Sequence, residues 1–193
     1  MIGLLNLNNP TDMPAQGAFI AVAPEGHARA GGGSFADTPR QLLGEAVSRD
    51  LQSWIDAEYR TTGQWTITGL SDGGFGAAYL GFHDPHAYRA VCAMSGYFRA
   101  EGPAFARQPQ SVRLASSPID HASRSGPATL LIVGSSHGGF LNQSLSYAAA
   151  RGAADQPYQL MVEPGGHDWT LWHKATTTCL SFLLKPLVPN GQQ

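Results

Sequence analysis

The chain has 193 residues, enough for one domain but cramped for two. Hydrophobic residues make up 42% of the chain and charged residues only 13%, so a sizeable core is expected and general disorder is not. The net charge is −2, with no basic stripe or polybasic segment, which argues against binding to nucleic acid or to an anionic membrane surface.

The start of the chain has the features of neither a signal peptide nor a membrane span. Ala18–Ala23 is one of the longest uninterrupted apolar runs, whereas a span needs about 20 apolar residues. The first basic residue is Arg29, so no basic segment precedes an apolar one. We expect no signal peptide in the chain as given. The location stays open between cytoplasmic and, if the N-terminus is truncated, exported.

Predicted strands alternate with predicted helices along the sequence. Short apolar or β-rich runs indicate strands, and apolar residues three and four positions apart indicate helices. In chain order we predict strand 17–23, helix 40–59, strand 65–69, helix 73–82, strand 88–94, an irregular lid or insertion with a short helix at 97–128, strand 129–133, helix 143–151, strand 158–162 and helix 170–184. This order predicts an α/β fold, a mostly parallel sheet flanked by helices, in one domain over residues 1–193.

The two cysteines lie in apolar surroundings. We interpret Cys92 and Cys179 as buried free thiols, with a disulfide between them as the alternative. The chain has no CxxC motif and no Cys/His cluster, so the sequence does not predict a zinc site.

The sharpest motif is GLSDGG at Gly69–Gly74, which fits G-x-S-x-G between a predicted strand and a predicted helix. Glycines beside a serine permit a tight turn that presents the hydroxyl of Ser71 at the carboxyl end of the sheet. The backbone N–H of Asp72, at the start of the helix, can then donate to an oxyanion. The alternative is a glycine-rich helix cap in which Ser71 only satisfies backbone donors.

A serine nucleophile needs a general base, and His167 lies in a suitable place for one. It follows the last predicted strand, on a loop in which Gly165 and Gly166 precede it. We predict that His167 is the base. We interpret the remaining histidines as surface or structural residues: His27, His83, His86, His121, His137 and His173.

Four stretches together resemble the esterase branch of the α/β-hydrolases, which includes S-formylglutathione hydrolases, feruloyl esterases and mycolyltransferases. They are AFIAVAPEG, RDLQSWIDAEYRT, the run from Trp65 to Phe98, and EPGGHDWTLW, and the resemblance covers roughly residues 17–184. It implies an α/β-hydrolase fold in which Ser71 is the nucleophile, His167 the base and the Asp72 N–H an oxyanion donor. It also implies a small-molecule ester or thioester substrate, with no cofactor and no metal.

The sequence departs from this family at the acid that orients the histidine. The family carries the acid in a G-x-x-D pattern after the strand that matches TLLIV, whereas this chain reads GSSH at Gly134–His137. Candidate substitutes are Glu101, Glu163 and Asp168. A Ser–His dyad helped by Asn142 or by water is a further alternative, so the sequence identifies no acid.

The second departure is at the N-terminal end. The family has two or three strands before AFIAVAPEG, and one of them ends in a His-Gly loop that supplies a second oxyanion N–H. Here only residues 1–16 precede that stretch. Ile2–Leu7 is either a residual strand, with Asn8–Pro10 in place of the loop, or part of an irregular leader.

Two classes of function therefore remain open. The first is a serine esterase that acts through an acyl-enzyme on Ser71, or an acyltransferase of the same fold. The second is a catalytically impaired, hydrolase-like binding domain. A distance of about 2.6–3.2 Å between the Ser71 hydroxyl and the His167 ring favours catalysis. Trp169 and Trp172 fit core packing better than an acyl pocket. The acyl group, the alcohol and the oligomeric state cannot be read from the sequence.

Overall fold

A four-stranded, fully parallel sheet forms the centre of the part of the chain that the computed structural model describes, residues 19–24, 35–37, 42–101 and 105–185. The strands are β1 (Ile67–Leu70), β2 (Ala90–Met94), β3 (Ala128–Gly134) and β4 (Tyr158–Glu163), and they lie side by side in chain order. Because all four strands are parallel, their carboxyl ends meet at one edge. The predicted α/β fold is confirmed.

Helices connect the strands. The first helical segment consists of α1 (Leu43–Glu45), a π-helical stretch (Ala46–Leu51) and α2 (Gln52–Glu58), and it precedes β1. Helix α3 (Asp72–His83) follows β1, α5 (Gly138–Ala153) follows β3, and α6 (Trp169–Leu183) follows β4. The predicted insertion between β2 and β3 contains α4 (Gln110–Ser116) and a 3₁₀ turn (Pro118–His121).

The side chains of the sheet bury its two faces against different helices. In β2, Cys92 and Met94 point to the face that α6 covers, whereas Ala93 packs with residues of α3 and α5 on the other face. This alternation is what a two-residue strand period requires when both faces are covered. The sheet is therefore the middle layer between α6 on one side and α3 and α5 on the other.

The interpretation of the cysteines as free thiols is wrong. Cys92 in β2 and Cys179 in α6 form a disulfide, with their Cα atoms 5.9 Å apart. Both residues are buried, at 0% and 1% exposure. They meet because Cys92 points to the sheet face on which α6 packs, a contact between residues 87 positions apart that sequence spacing does not reveal.

Two predicted elements differ from the observed ones. Residues 19–24, the described part of the predicted strand 17–23, are irregular rather than a strand, and Ile20 is 47% exposed. Within the described ranges no strand pairs with the outer edge of β1, so residues 19–24 are not part of the sheet. Helix α5 starts at Gly138, five residues earlier than predicted, because two glycines that suggest a loop lie in its first turn.

The N-terminal alternatives, a residual strand at Ile2–Leu7 or an irregular leader, fall outside the described residues. Over the ranges that the structure does describe, none of the helices combines the length and the apolar character that crossing a bilayer requires.

Candidate active site

Ser71 occupies a strained turn between β1 and α3. Its backbone has φ 54° and ψ −118°, a region that costs a non-glycine residue about 1–3 kcal/mol. The turn is held because the Ser71 N–H donates to the carbonyl oxygen of Met94, at 2.9 Å. Gly69 has to be glycine, since a Cβ there would overlap the backbone of Gly73. The strained conformation of Ser71 and the close approach of Gly69 to Gly73 place the Ser71 side chain at the carboxyl edge of the sheet.

Asp72 is the first residue of α3, directly after the serine. The first N–H groups of a helix have no acceptor within the helix and carry its positive partial charge. The Asp72 N–H is thus suited to bind a negative oxygen next to Ser71. The region around Asn8–Pro10, the candidate source of a second donor, is outside the described residues.

The loop that carries His167 is packed onto the end of β3. Gly165 has φ 147°, and the Ser136 N–H donates to its carbonyl oxygen at 2.9 Å. A Cβ on Gly134 would lie only 2.5 Å from the Gly165 oxygen and 2.6 Å from the Gly166 oxygen, so this approach requires glycine at position 134. The two loops that follow β3 and β4 are therefore in direct contact.

The structure brings the predicted serine and histidine together. His167 Nε2 lies 2.9 Å from Ser71 Oγ, although 96 residues separate them in the chain. The distance falls inside the interval expected for a catalytic pair. The other ring nitrogen, Nδ1, is buried and has no hydrogen-bond partner among the described residues.

None of the candidate acids reaches His167 Nδ1. Asp168 instead caps α6, because its Oδ1 accepts from the Leu171 N–H at 3.0 Å and its Oδ2 from the Gly166 N–H at 3.2 Å. The pKa of Asp168 lies below its usual value. The hydrogen bond from the Leu171 N–H is the main cause, and the bond from the Gly166 N–H lowers the pKa further. The side chains of Glu101 and Asn142 are exposed, and Glu163 lies half-buried at the end of β4. Among the described residues, no carboxylate therefore orients His167.

Aromatic rings surround the imidazole of His167. The ring of Phe140 stacks on it, with centroids 4.0 Å apart and an interplanar angle of 22°. The indole of Trp172 meets it edge-on at 4.9 Å and 84°, and the Trp172 Nε1–H donates to Ser95 Oγ at 3.1 Å. His137, interpreted above as a surface or structural residue, is exposed but lies with its ring centroid 5.5 Å from that of His167.

Sequence reasoning misses the position of Phe140 altogether. The residue follows two glycines that suggest a loop, and only the earlier start of α5 turns its ring toward His167. Trp172 attracts notice in the sequence because it lies close to His167 in the chain. The structure buries Trp172 in the core between the sheet and α6, whereas Trp169 is 45% exposed.

The electrostatics of the site favour a neutral imidazole. Burial lowers the pKa of His167 below its usual value, and the neighbouring His137 lowers it further. The carboxylates of Asp72 and Asp168 act in the opposite direction but do not reverse the shift. His167 is therefore neutral, and able to accept a proton, down to a lower pH than an ordinary histidine.

A comparison with known protein families gives a match over most of the chain. The family model described as Putative esterase matches residues 18–183. The chain belongs to this esterase family. No protein of curated function matches the sequence.

Several solved structures have the same α/β-hydrolase fold as this esterase-family chain. A ferulic acid esterase is 26% identical, with a TM-score of 0.66 over 78% of this chain and 64% of that one. An S-formylglutathione hydrolase from Agrobacterium tumefaciens is 16% identical, with a TM-score of 0.67 over 77% of this chain and 60% of that one. A fluorophosphonate-binding serine hydrolase from Staphylococcus aureus is 17% identical, with a TM-score of 0.62 over 71% and 62%. The chain spans less than two thirds of the length of each.

Proposed function

We propose that this chain is a serine esterase, which hydrolyses carboxylic esters or thioesters of small molecules through an acyl-enzyme on Ser71. The observation that carries the proposal is the 2.9 Å distance between Ser71 Oγ and His167 Nε2, on a strained turn at the carboxyl edge of the sheet. Membership of the esterase family supports the same class of reaction. The reaction as proposed uses no cofactor or metal, and residues 1–193 act as one domain.

The proposed reaction begins with proton transfer from the Ser71 hydroxyl to His167 Nε2. The Ser71 oxygen attacks the carbonyl carbon, and the Asp72 N–H donates to the resulting oxyanion. Collapse of this intermediate breaks the bond to the alcohol or thiol, which leaves with the proton from His167. Water then attacks the acyl-enzyme with His167 again as base, releases the acid and restores Ser71.

No carboxylate among the described residues reaches His167 Nδ1, and this sets the expected rate. In serine proteases, replacing the acid lowers kcat by about 10⁴, but the oxyanion site and substrate binding still give about 10³–10⁴ over the uncatalysed reaction. We therefore expect slow but measurable turnover. A hydrolase-like domain that binds without turnover is the second candidate, and the unpartnered Nδ1 of His167 is the observation in its favour.

An active-site probe tests the proposal directly. A fluorophosphonate is expected to add to Ser71 of the wild-type protein, and the Ser71→Ala variant is expected to lose the adduct. A matched change at the exposed Ser53, Ser53→Ala, should leave labelling unchanged. Intact mass and peptide mapping give the readout, and a wild-type protein that stays unmodified at Ser71 would contradict the proposal.

A panel of p-nitrophenyl esters of increasing acyl length tests turnover and acyl preference. Wild type and Ser53→Ala should hydrolyse at least one ester at the same rate, and Ser71→Ala should be at background. Labelling of Ser71 without turnover of any ester in the panel would favour the binding domain over the esterase. Addition of methanol separates hydrolysis from acyl transfer, because a transferase forms the methyl ester in preference to the acid.

A further inference from the structure

The proposed reaction requires the His167 imidazole to be held in a fixed orientation. In the usual serine hydrolase site a carboxylate accepts from Nδ1–H, which fixes both the ring orientation and the tautomer. Here Nδ1 is buried without a partner in the described part of the chain, and Asp168 is occupied with the backbone of its own loop. The ring nevertheless points Nε2 at Ser71.

Two aromatic side chains from separate helices contact the ring. Phe140, in the first turn of α5, covers one face of the imidazole at a centroid distance of 4.0 Å. Trp172, in the first turn of α6, meets it edge-on, and its indole is itself fixed by the bond to Ser95. A face contact and an edge contact at nearly a right angle restrict rotation of the imidazole about both of its side-chain torsions.

We propose that Phe140, together with Trp172, positions the His167 imidazole in place of an orienting carboxylate. Phe140 is a positioning residue, since it acts through His167, the ring on which it stacks. This inference rests on the proposed esterase function. Phe140 on α5 thereby takes part in the proposed reaction, with an aromatic side chain in the role of an orienting acid.

The Phe140 ring also acts on the charge of the histidine. The imidazole becomes a cation when it accepts the Ser71 proton, and the face of an aromatic ring attracts a cation. The contact is therefore stronger in the charged state that accompanies the tetrahedral intermediate than in the resting state, which is the condition for a catalytic effect. A ring face provides less stabilisation than a carboxylate, so we expect it to recover only a fraction of the acid's contribution.

The test compares Phe140→Leu, which keeps most of the apolar volume but removes the ring, with Phe140→Tyr, which keeps the ring. With p-nitrophenyl acetate we expect Phe140→Leu to lower kcat about 3- to 10-fold with little change in KM, and Phe140→Tyr to stay near wild type. Leu145→Ala serves as the control on the same helix, because Leu145 is 44% exposed and lies more than one helical turn beyond Phe140.

A second readout separates positioning from a general effect on folding. The charged or titratable groups that act on His167 are His137, Asp72 and Asp168, and none of them changes in these variants. Loss of the ring face should therefore move the acidic limb of the kcat/KM profile to lower pH in Phe140→Leu and not in Phe140→Tyr. A merely structural role would lower the melting temperature and leave the limb in place.

The outcomes distinguish this inference from the function on which it rests. Wild-type kcat and an unmoved acidic limb in Phe140→Leu, with Ser71 still labelled by fluorophosphonate, would overturn the role of Phe140 and leave the esterase standing. Equal loss in the Leu and Tyr variants would also overturn it. Should Phe140→Leu fail to fold, Phe140→Met, an unbranched apolar replacement without a ring, carries the same comparison.

Discussion

At Ser71 the backbone conformation is part of the site. The residue has a positive φ, a conformation that glycine adopts more readily, and the hydrogen bond from its N–H to the carbonyl oxygen of Met94 holds it there. Such strain persists only where neighbouring structure fixes it. Replacement by alanine therefore removes the hydroxyl and keeps the turn, which makes Ser71→Ala a clean probe of chemistry rather than of fold.

The lowered pKa of a single residue, His167, predicts how activity changes with pH. As the proposed base, His167 must be neutral to accept a proton, and its pKa is lowered, mainly by burial. Activity is lost as the pH falls through this lowered pKa, so the acidic limb of kcat/KM should have its midpoint below the ordinary histidine value of about 6.5. A pH profile with p-nitrophenyl acetate measures it.

His137 contributes to that shift and can be tested separately. Replacing the imidazole in His137→Gln should raise the pKa of His167 and move the acidic limb to higher pH, because His137 is the second largest cause that lowers that pKa. His173→Gln is the control, since His173 is exposed on α6 and does not act on His167. A limb that stays in place, or one that moves to lower pH, would contradict the assigned electrostatics.

At the scale of elements, the site depends on the contact between the end of β3 and the loop after β4. Gly134 has no room for a side chain because the carbonyl groups of Gly165 and Gly166 lie against it. We expect Gly134→Ala to displace the His167 loop and to lower kcat/KM about 10- to 100-fold, since a shift of about 1 Å at a reacting group has effects of that size.

The control for this change lies four residues further on. A Cβ added at Gly138 would meet no other atom within 4 Å, and this glycine does not have a positive φ, so Gly138→Ala should be close to neutral. Circular dichroism should show that both variants keep the fold. Equal activity of the two variants would mean that the loop tolerates the added carbon and that the contact does not set the position of His167.

Local sequence patterns are sufficient to predict the four strands of the sheet. The four strands of the sheet are predicted to within two residues at each end, because buried parallel strands are short apolar runs with clear ends. The pairing of Ser71 with His167 also follows, since each lies in a recognisable loop at the end of a strand. The disulfide, the ring of Phe140 over His167 and the irregular path of residues 19–24 depend on contacts between distant segments, which no local pattern records.

For the molecule as a whole, the disulfide is the covalent link between the sheet and the last helix. Cys92 and Cys179 close a loop of 87 residues. In the chain-entropy account a loop of this length stabilises the fold by about 4–5 kcal/mol, because it restricts the unfolded chain. Both cysteines are buried, so the bond is protected from reductants in solution while the protein stays folded.

Removing this link should lower stability clearly. We expect the double variant Cys92→Ala with Cys179→Ala to melt roughly 10–20 °C below wild type. Calorimetry with and without a reductant provides the control: opening of the structure on heating exposes the bond, so the reductant should lower the melting temperature of wild type and leave that of the double variant unchanged. Equal melting temperatures for the two proteins would contradict a stabilising disulfide.

The 96-residue separation between Ser71 and His167 has a consequence for folding. The serine turn needs β1, β2 and α3, all complete by Met94, whereas His167 lies in the segment just before α6. A chain emerging from the ribosome therefore contains every segment of the serine turn long before His167 is synthesised. In the proposed mechanism the Ser71 hydroxyl is activated only when α6 packs on the sheet, so the rate of fluorophosphonate labelling during refolding should report when α6 docks.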